Sequence, residues 1–319
     1  MFLILFTPWL KQRLKRSILK KICCIEVKLK NYCKVAGALL LWSTWGVIIK
    51  SLQLDAVLMV FLTTLFALPA VFIITLFKSN PVQENLAGIG ANYKLLSLLA
   101  LSLLLNNFFY FAAFNRTSIA ISVFTHYTAP LFVALLTPFI LAEGFDRRLI
   151  FPLLIATFGL ASILAPEWHT TVGNLDLIGA FCGVASGLAY AFTIIFAKRL
   201  TQKLNPLALV FGQSLFIALF LLPFVFFTNI SELTFMTWVY LAIIGVTLCT
   251  LAPLLYISGL KHIKAQHAAI IGYLEPLAAV SLGLFLAHES PSRFIWCGGA
   301  AILISGVIIT RLKTTTSAS

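Results

Sequence analysis

Ten acidic residues occur in this 319-residue chain, and only Glu275 lies in the middle of a long apolar run. It stands in GYLEP, residues 272–276, near the centre of AQHAAIIGYLEPLAAVSLGLFLA. An ionised carboxylate centred on an apolar helix costs about 2.5–3.5 kcal/mol on insertion scales, so it belongs in a bundle interior or a wet cavity. There it can carry a proton or balance a cationic solute; alternatively, protonated, it hydrogen-bonds a neighbouring helix. Pro276 follows it and removes a backbone donor, which frees the carbonyl of Gly272. Pro130 does the same for the carbonyl of His126. Matching helix breaks of this kind point to a transport site, although neighbours can also satisfy a simple kink.

Other polar residues in apolar runs are candidates for the same site. His126 sits one turn before Pro130, as proton relay or as packing residue. Tyr127 and Tyr273 can offer a hydroxyl each or pack tightly. Asn106, Asn107 and Gln213 can bond a solute or link helices, links worth about 0.6 kcal/mol on average. Trp42, Trp45 and Tyr190 can form an aromatic wall. The acids do not cluster within spans and there is no HExxH, so no metal or cofactor is expected. Without GxxxxGK[ST], no nucleotide is expected to drive the protein.

The elements that must hold these residues follow from composition. Hydrophobic residues make up 61% and charged ones 10%, with a mean hydropathy of +1.01. Ten apolar runs are long enough to cross a bilayer: 35–50, 57–77, 95–114, 118–141, 149–165, 177–197, 207–228, 236–258, 265–287 and 294–310. With the N-terminus in the cytoplasm and the sides alternating, 20 of the 23 Lys and Arg fall inside; Lys50, Arg116 and Arg293 do not. That asymmetry explains the net charge of +13 as a topology signal, placing both termini in the cytoplasm, and argues against nucleic acid. Residues 1–34 are expected to form a basic cytoplasmic segment, lying on the bilayer surface or loose. The longest connection is read as a 17-residue loop, 78–94.

A repeat organises the spans. TSIAISVFTHYTAPLFVALLTPFILAE, 117–143, and IKAQHAAIIGYLEPLAAVSLGLFLAHE, 263–289, align at a shift of 146, matching Tyr127 to Tyr273, Pro130 to Pro276 and Glu143 to Glu289. Two repeats, 35–165 and 177–312, thus hold five spans each. Five is odd, so the second repeat enters from the opposite side: an all-α polytopic protein of two inverted five-helix repeats. Gly179, Gly183, Gly187 and Ala191 form a small-residue ladder that lets a helix approach closely, within the bundle or between subunits of a homodimer.

These segments resemble the EamA-like branch of the drug/metabolite transporter superfamily. The resemblance is carried by PLFVALLTPFILAE (130–143), LEPLAAVSLGLFLAHE (274–289), WSTWG (42–46) and GGAAILISGVII (298–309), and it covers about 35–312. Two positions depart from the family pattern: the lysine of the first span comes early, at Lys50, and AVLMVFLTT (56–64) lacks the arginine often found there. The resemblance implies a secondary transporter in the bacterial inner membrane, exporting amino-acid-like or drug-like metabolites by alternating access around a midplane cavity. Its partners are a small solute, the lipid bilayer and, through Glu275, protons. A sugar-phosphate or nucleotide-sugar transporter is the alternative, but such anions call for Lys or Arg deep in the spans. A membrane-embedded lipid-modifying enzyme is the remote one.

Overall fold

The computed structural model describes residues 26–45, 48, 52, 54–77, 82–141, 143–171, 176–228, 233–287 and 292–312. Its first helix, α1, covers 26–42. There follow α2 (Ala56–Phe77), α3 (Val82–Ala91), α4 (Tyr93–Arg116), α5 (Ile119–His126), α6 (Ala129–Ile140) and α7 (Ile150–Thr171). The second half holds α8 (Leu177–Leu200), α9 (Pro206–Val225), α10 (Phe235–Val246), a π-turn (Thr247–Leu251), α11 (Ala252–Leu260), α12 (Ala265–Ile271), α13 (Leu274–Ala287) and α14 (Arg293–Arg311).

Nine helical stretches among the described residues are long and apolar enough to cross a membrane, and they coincide within a few residues with the second to tenth expected spans. The first expected span, 35–50, overlaps α1 and continues beyond the described residues. The described residues are therefore all-helical, the protein is a multi-pass membrane protein, and with α1 counted in the first half its helices fit the expected pair of five-helix repeats. One connection differs from expectation: α3 occupies most of the supposed loop 78–94. Its residues VQENLAGIGA lack helix breakers other than glycine, and Ile89 is buried in the core. Ser118, Asp176, Asn205 and Thr234 start their helices by accepting backbone N–H groups with their side chains.

Packing follows the repeat. α4 lies along α8. Its counterpart, the 235–260 stretch, lies along α1, where a side chain on Gly259 would strike the Asn31 carbonyl. α2 packs on α9 and α7 on α14, so the halves interdigitate rather than sit side by side. The small-residue ladder of α8 is spent here: Gly179 packs on Thr117, Gly183 on Thr125, and Gly187 on the carbonyl of His126. It thus serves the bundle and gives a homodimer no support. Large side chains such as Phe139 and Phe227, 87% and 89% exposed, point outward, as a lipid-facing surface requires.

Candidate functional site

The two spans that carry Pro130 and Pro276 are both broken. The first stops at His126, turns through Tyr127 and Thr128, and resumes as α6 with Pro130 in its first turn. The second stops at Ile271, turns through Gly272 and Tyr273, and resumes as α13 with Glu275 and Pro276 in its first turn. Pro276 does not leave the Gly272 carbonyl free as expected. The N–H of Glu275 reaches back to it at 3.0 Å, which tightens the chain at the break.

The breaks meet. The Tyr273 hydroxyl donates to the Tyr127 carbonyl at 3.0 Å and lies 2.9 Å from Thr157 Oγ1, and the two tyrosine rings are 5.6 Å apart. With 1% and 8% of their surface exposed, neither lines the central cavity. Tyr273 is a link between halves, and the Tyr127 hydroxyl is placed beside the Glu275 carboxyl.

Next to the crossing lies a cavity of about 270 Å³. Its walls carry the other eight candidates: Trp42, Trp45, Asn106, Asn107, His126, Tyr190, Gln213 and Glu275. Glu275 is the acid, and neither Lys nor Arg occurs, among the described lining residues. Among the described residues, no cluster of three His, Cys, Asp or Glu could hold a metal ion.

His126 is held firmly. Its Nδ1 lies 2.9 Å from Ser186 Oγ, and that hydroxyl can donate its proton to the Gly183 carbonyl. With the hydroxyl kept on the Gly183 carbonyl, Nδ1 is the donor; with the hydroxyl turned to the ring, Nδ1 accepts, so the tautomer sets the direction. The ring also lies 4.3 Å from that of Tyr110 and 5.3 Å from that of Tyr190. Elsewhere in the lining, Trp42 donates through Nε1 to the Leu248 carbonyl at 3.0 Å and packs its ring 5.3 Å from Tyr256. Leu248 lies in the π-turn, an irregularity often found at functional sites.

Several lining residues escaped the sequence reading: Tyr110, Tyr256, Thr63, Thr64, Thr193, Ser214 and Cys249. Tyr110 and Tyr256 are 146 positions apart, the repeat shift itself, and both lie close enough to Glu275 to feel its charge. Extending the alignment beyond the broken spans finds them. Tyr110 also falls one turn after Asn106 and Asn107. The threonines and serine carry no such signal, since hydroxyls on apolar helices commonly bond their own backbone, as Thr63 does to the Met59 carbonyl.

Away from the cavity, the halves are tied where residues 143–146 meet 260–266. Lys198 Nζ donates to the carbonyls of Leu260 and Ile263 at 2.9 and 2.6 Å and lies 3.9 Å from Glu143 Oε1. Glu143 Oε2 accepts the Ala265 N–H at 3.1 Å, and Lys264 lies 3.6 Å from Asp146. Gln266 donates to Thr137 Oγ1 at 2.7 Å. Burial raises the pKa of Glu143, and Lys198 and the Ala265 N–H partly offset this. The repeat partner of Glu143, Glu289, lies outside the described residues.

Two stretches, 29–165 and 177–311, each match the EamA-like transporter family. An uncharacterized transporter of Archaeoglobus fulgidus is 27% identical over 84% of this chain and 92% of its own length. The uncharacterized transporter YcbK of Bacillus subtilis is 25% identical over 86% and 89%, respectively. YetK of the same organism, also an uncharacterized transporter, is 29% identical over 58% of each chain. A crystal structure superposes with a TM-score of 0.69 at 18% identity, covering 89% of this chain and 99% of the other, which shows a shared fold.

Proposed function

The chain belongs to the EamA-like transporter family, and we propose that within it the protein is a secondary exporter of small metabolites that binds its solute in the Glu275 cavity. What carries this reading is the crossing of two repeat-related helix breaks beside the one cavity-lining acid among the described residues. A break lets a span bend with few hydrogen bonds lost, and a link such as Tyr273–Tyr127 couples the bend of one half to that of the other. Alternating access follows as a rocking of the halves about this crossing. The Glu143–Lys198 and Asp146–Lys264 contacts must part for the cavity to open at their end.

Glu275 exchanges a proton against solute, so that a pH gradient drives export. In this reading the protein sits in a bacterial inner membrane with both termini and the Glu143 contacts on the cytoplasmic side, an orientation that the positive-inside distribution supports. The alternative of a sugar-phosphate or nucleotide-sugar transporter is disfavoured. A polyanion in this cavity would confront Glu275 and find no Lys or Arg among the described lining residues. Among the described residues no acid cluster suits metal-dependent transfer, and the family match supports transport over enzymatic chemistry.

The test is flux. Purified protein in proteoliposomes is challenged with a panel of radiolabelled metabolites, with and without an imposed pH gradient. Saturable, gradient-dependent movement in the wild type and its loss in Glu275→Gln are expected. Equal flux and equal pH dependence in the variant would remove Glu275 from the mechanism.

A further inference from the structure

We infer that the solute taken by this cavity is a small protonated amine with an apolar or aromatic body. This rests on the transport reading above and narrows it. The walls present five aromatic rings, those of Trp42, Trp45, Tyr110, Tyr190 and Tyr256, around the region that Glu275 enters. The indole N–H of Trp42 is already spent on the Leu248 carbonyl, so this side chain can offer the cavity only its ring. Aromatic faces attract cations and repel anions through the ring quadrupole, most strongly where water is excluded. A carboxylate among such faces suits a positive charge.

The unspent hydrogen-bonding capacity points the same way. The Asn106 amide nitrogen is directed at Asn107 Oδ1, 3.4 Å away, and the Asn106 Oδ1 is buried without a partner. The hydroxyl of Tyr256 is likewise buried and unpartnered. Buried polar atoms left unpaired in the empty protein are costly, and a ligand that pairs them recovers that cost on binding. Together with Glu275, the orphaned Asn106 oxygen asks for N–H donors carrying positive charge, which an ammonium group supplies and a quaternary nitrogen does not.

Size limits the rest of the molecule. A cavity of about 270 Å³, near the lower end of ordinary small-molecule sites at roughly 300–1,000 Å³, has room for an arylalkyl amine. A zwitterionic amino acid of the same size fits the space but brings a carboxylate. Neither Lys nor Arg awaits it among the described lining residues, and Glu275 repels it.

Three solutes of matched shape decide the matter: 2-phenylethylamine, phenylalanine and 3-phenylpropionate. Binding is followed by quenching of tryptophan fluorescence in purified protein, and movement by flux in proteoliposomes. The amine is expected to bind saturably and at least tenfold more tightly than the other two, and to be the one transported. Glu275→Gln should weaken amine binding at least tenfold. Trp45→Ala should weaken it at least threefold while Trp45→Phe retains most of it, a pattern that reports a ring face rather than bulk. Should Glu275→Gln not purify as a single species, the Trp45 pair and the three-solute ranking still decide. Phenylalanine bound and moved as well as the amine would overturn the amine assignment and leave the transport reading intact. Saturable binding or movement of none of the three would likewise overturn the amine assignment, and the metabolite panel then decides the transport reading by itself.

Discussion

The two broken spans are built alike and equipped differently. Each turns within two residues, each resumes with a proline in its first turn, and each places a tyrosine at the turn: Tyr127 in one, Tyr273 in the other. Yet the position before the proline is Ala129 in the first half and Glu275 in the second. Three residues earlier the first half has His126 and the second has Gly272. Ala129 is buried in packing, 1% exposed, whereas Glu275 enters the cavity. Duplication thus accounts for the scaffold, and substitutions within one copy account for the chemistry. A bilayer tolerates a broken helix wherever neighbours cover the backbone, but it tolerates a carboxyl only where something wet or polar receives it.

The largest effect expected from breaking this comparison is on Glu275. Glu275→Gln should lower gradient-driven flux at least tenfold while the purified protein keeps its unfolding temperature, measured side by side in the same detergent. Moving the acid to the equivalent place in the other half, as Glu275→Ala with Ala129→Glu, should not restore flux. The new carboxyl would sit in the packed interior, and breaking that packing should cost about 3 kcal/mol or more, seen as a fall in thermal stability.

The first break depends on the glycine ladder of α8 and the second does not. A Cβ at Gly187 would come within 2.6 Å of the His126 carbonyl, so Gly187→Val should destabilise by about 1–3 kcal/mol through overpacking. Detergent melting curves check this. Lys198→Met should cost about 2–3 kcal/mol, because the backbone carbonyls of 260 and 263 and the Glu143 carboxylate lose a shared charged partner. If the contacts must part during transport, this variant should also expose the Glu143 end to solvent more often, read by hydrogen exchange of residues 261–266. The smallest effect belongs to Tyr273→Phe. It deletes one interhelical hydroxyl bonded to the Tyr127 carbonyl and near Thr157, worth about 1 kcal/mol, and should leave solute selectivity unchanged.

Much of this architecture is legible in the residues because a bilayer restricts what an apolar run of 20 can become. Span positions, the repeat shift and the helix breaks all appear in apolar length and proline placement. The register of side chains around the cavity does not. Tyr127 and Tyr273 have the same chemistry as Tyr110 and Tyr256, yet only the latter pair faces the space, and the difference arises from rotation about helix axes that apolar spans do not encode. Gly272 shows the same limit: a proline four residues on implies a free carbonyl, whereas local tightening gives it to Glu275. The α3 helix was hidden because a short polar segment between spans reads as loop by composition.

Cys249 provides the most direct test of the central claim, since its thiol lines the Glu275 cavity. In a variant with Cys23, Cys24, Cys33, Cys182 and Cys297 replaced by serine, a small water-soluble methanethiosulfonate reports access to that thiol. The solute that flux assays find transported should slow labelling of Cys249 at least threefold at saturation. Labelling at one rate with and without that solute would contradict the assignment of this cavity as the place where solute binds.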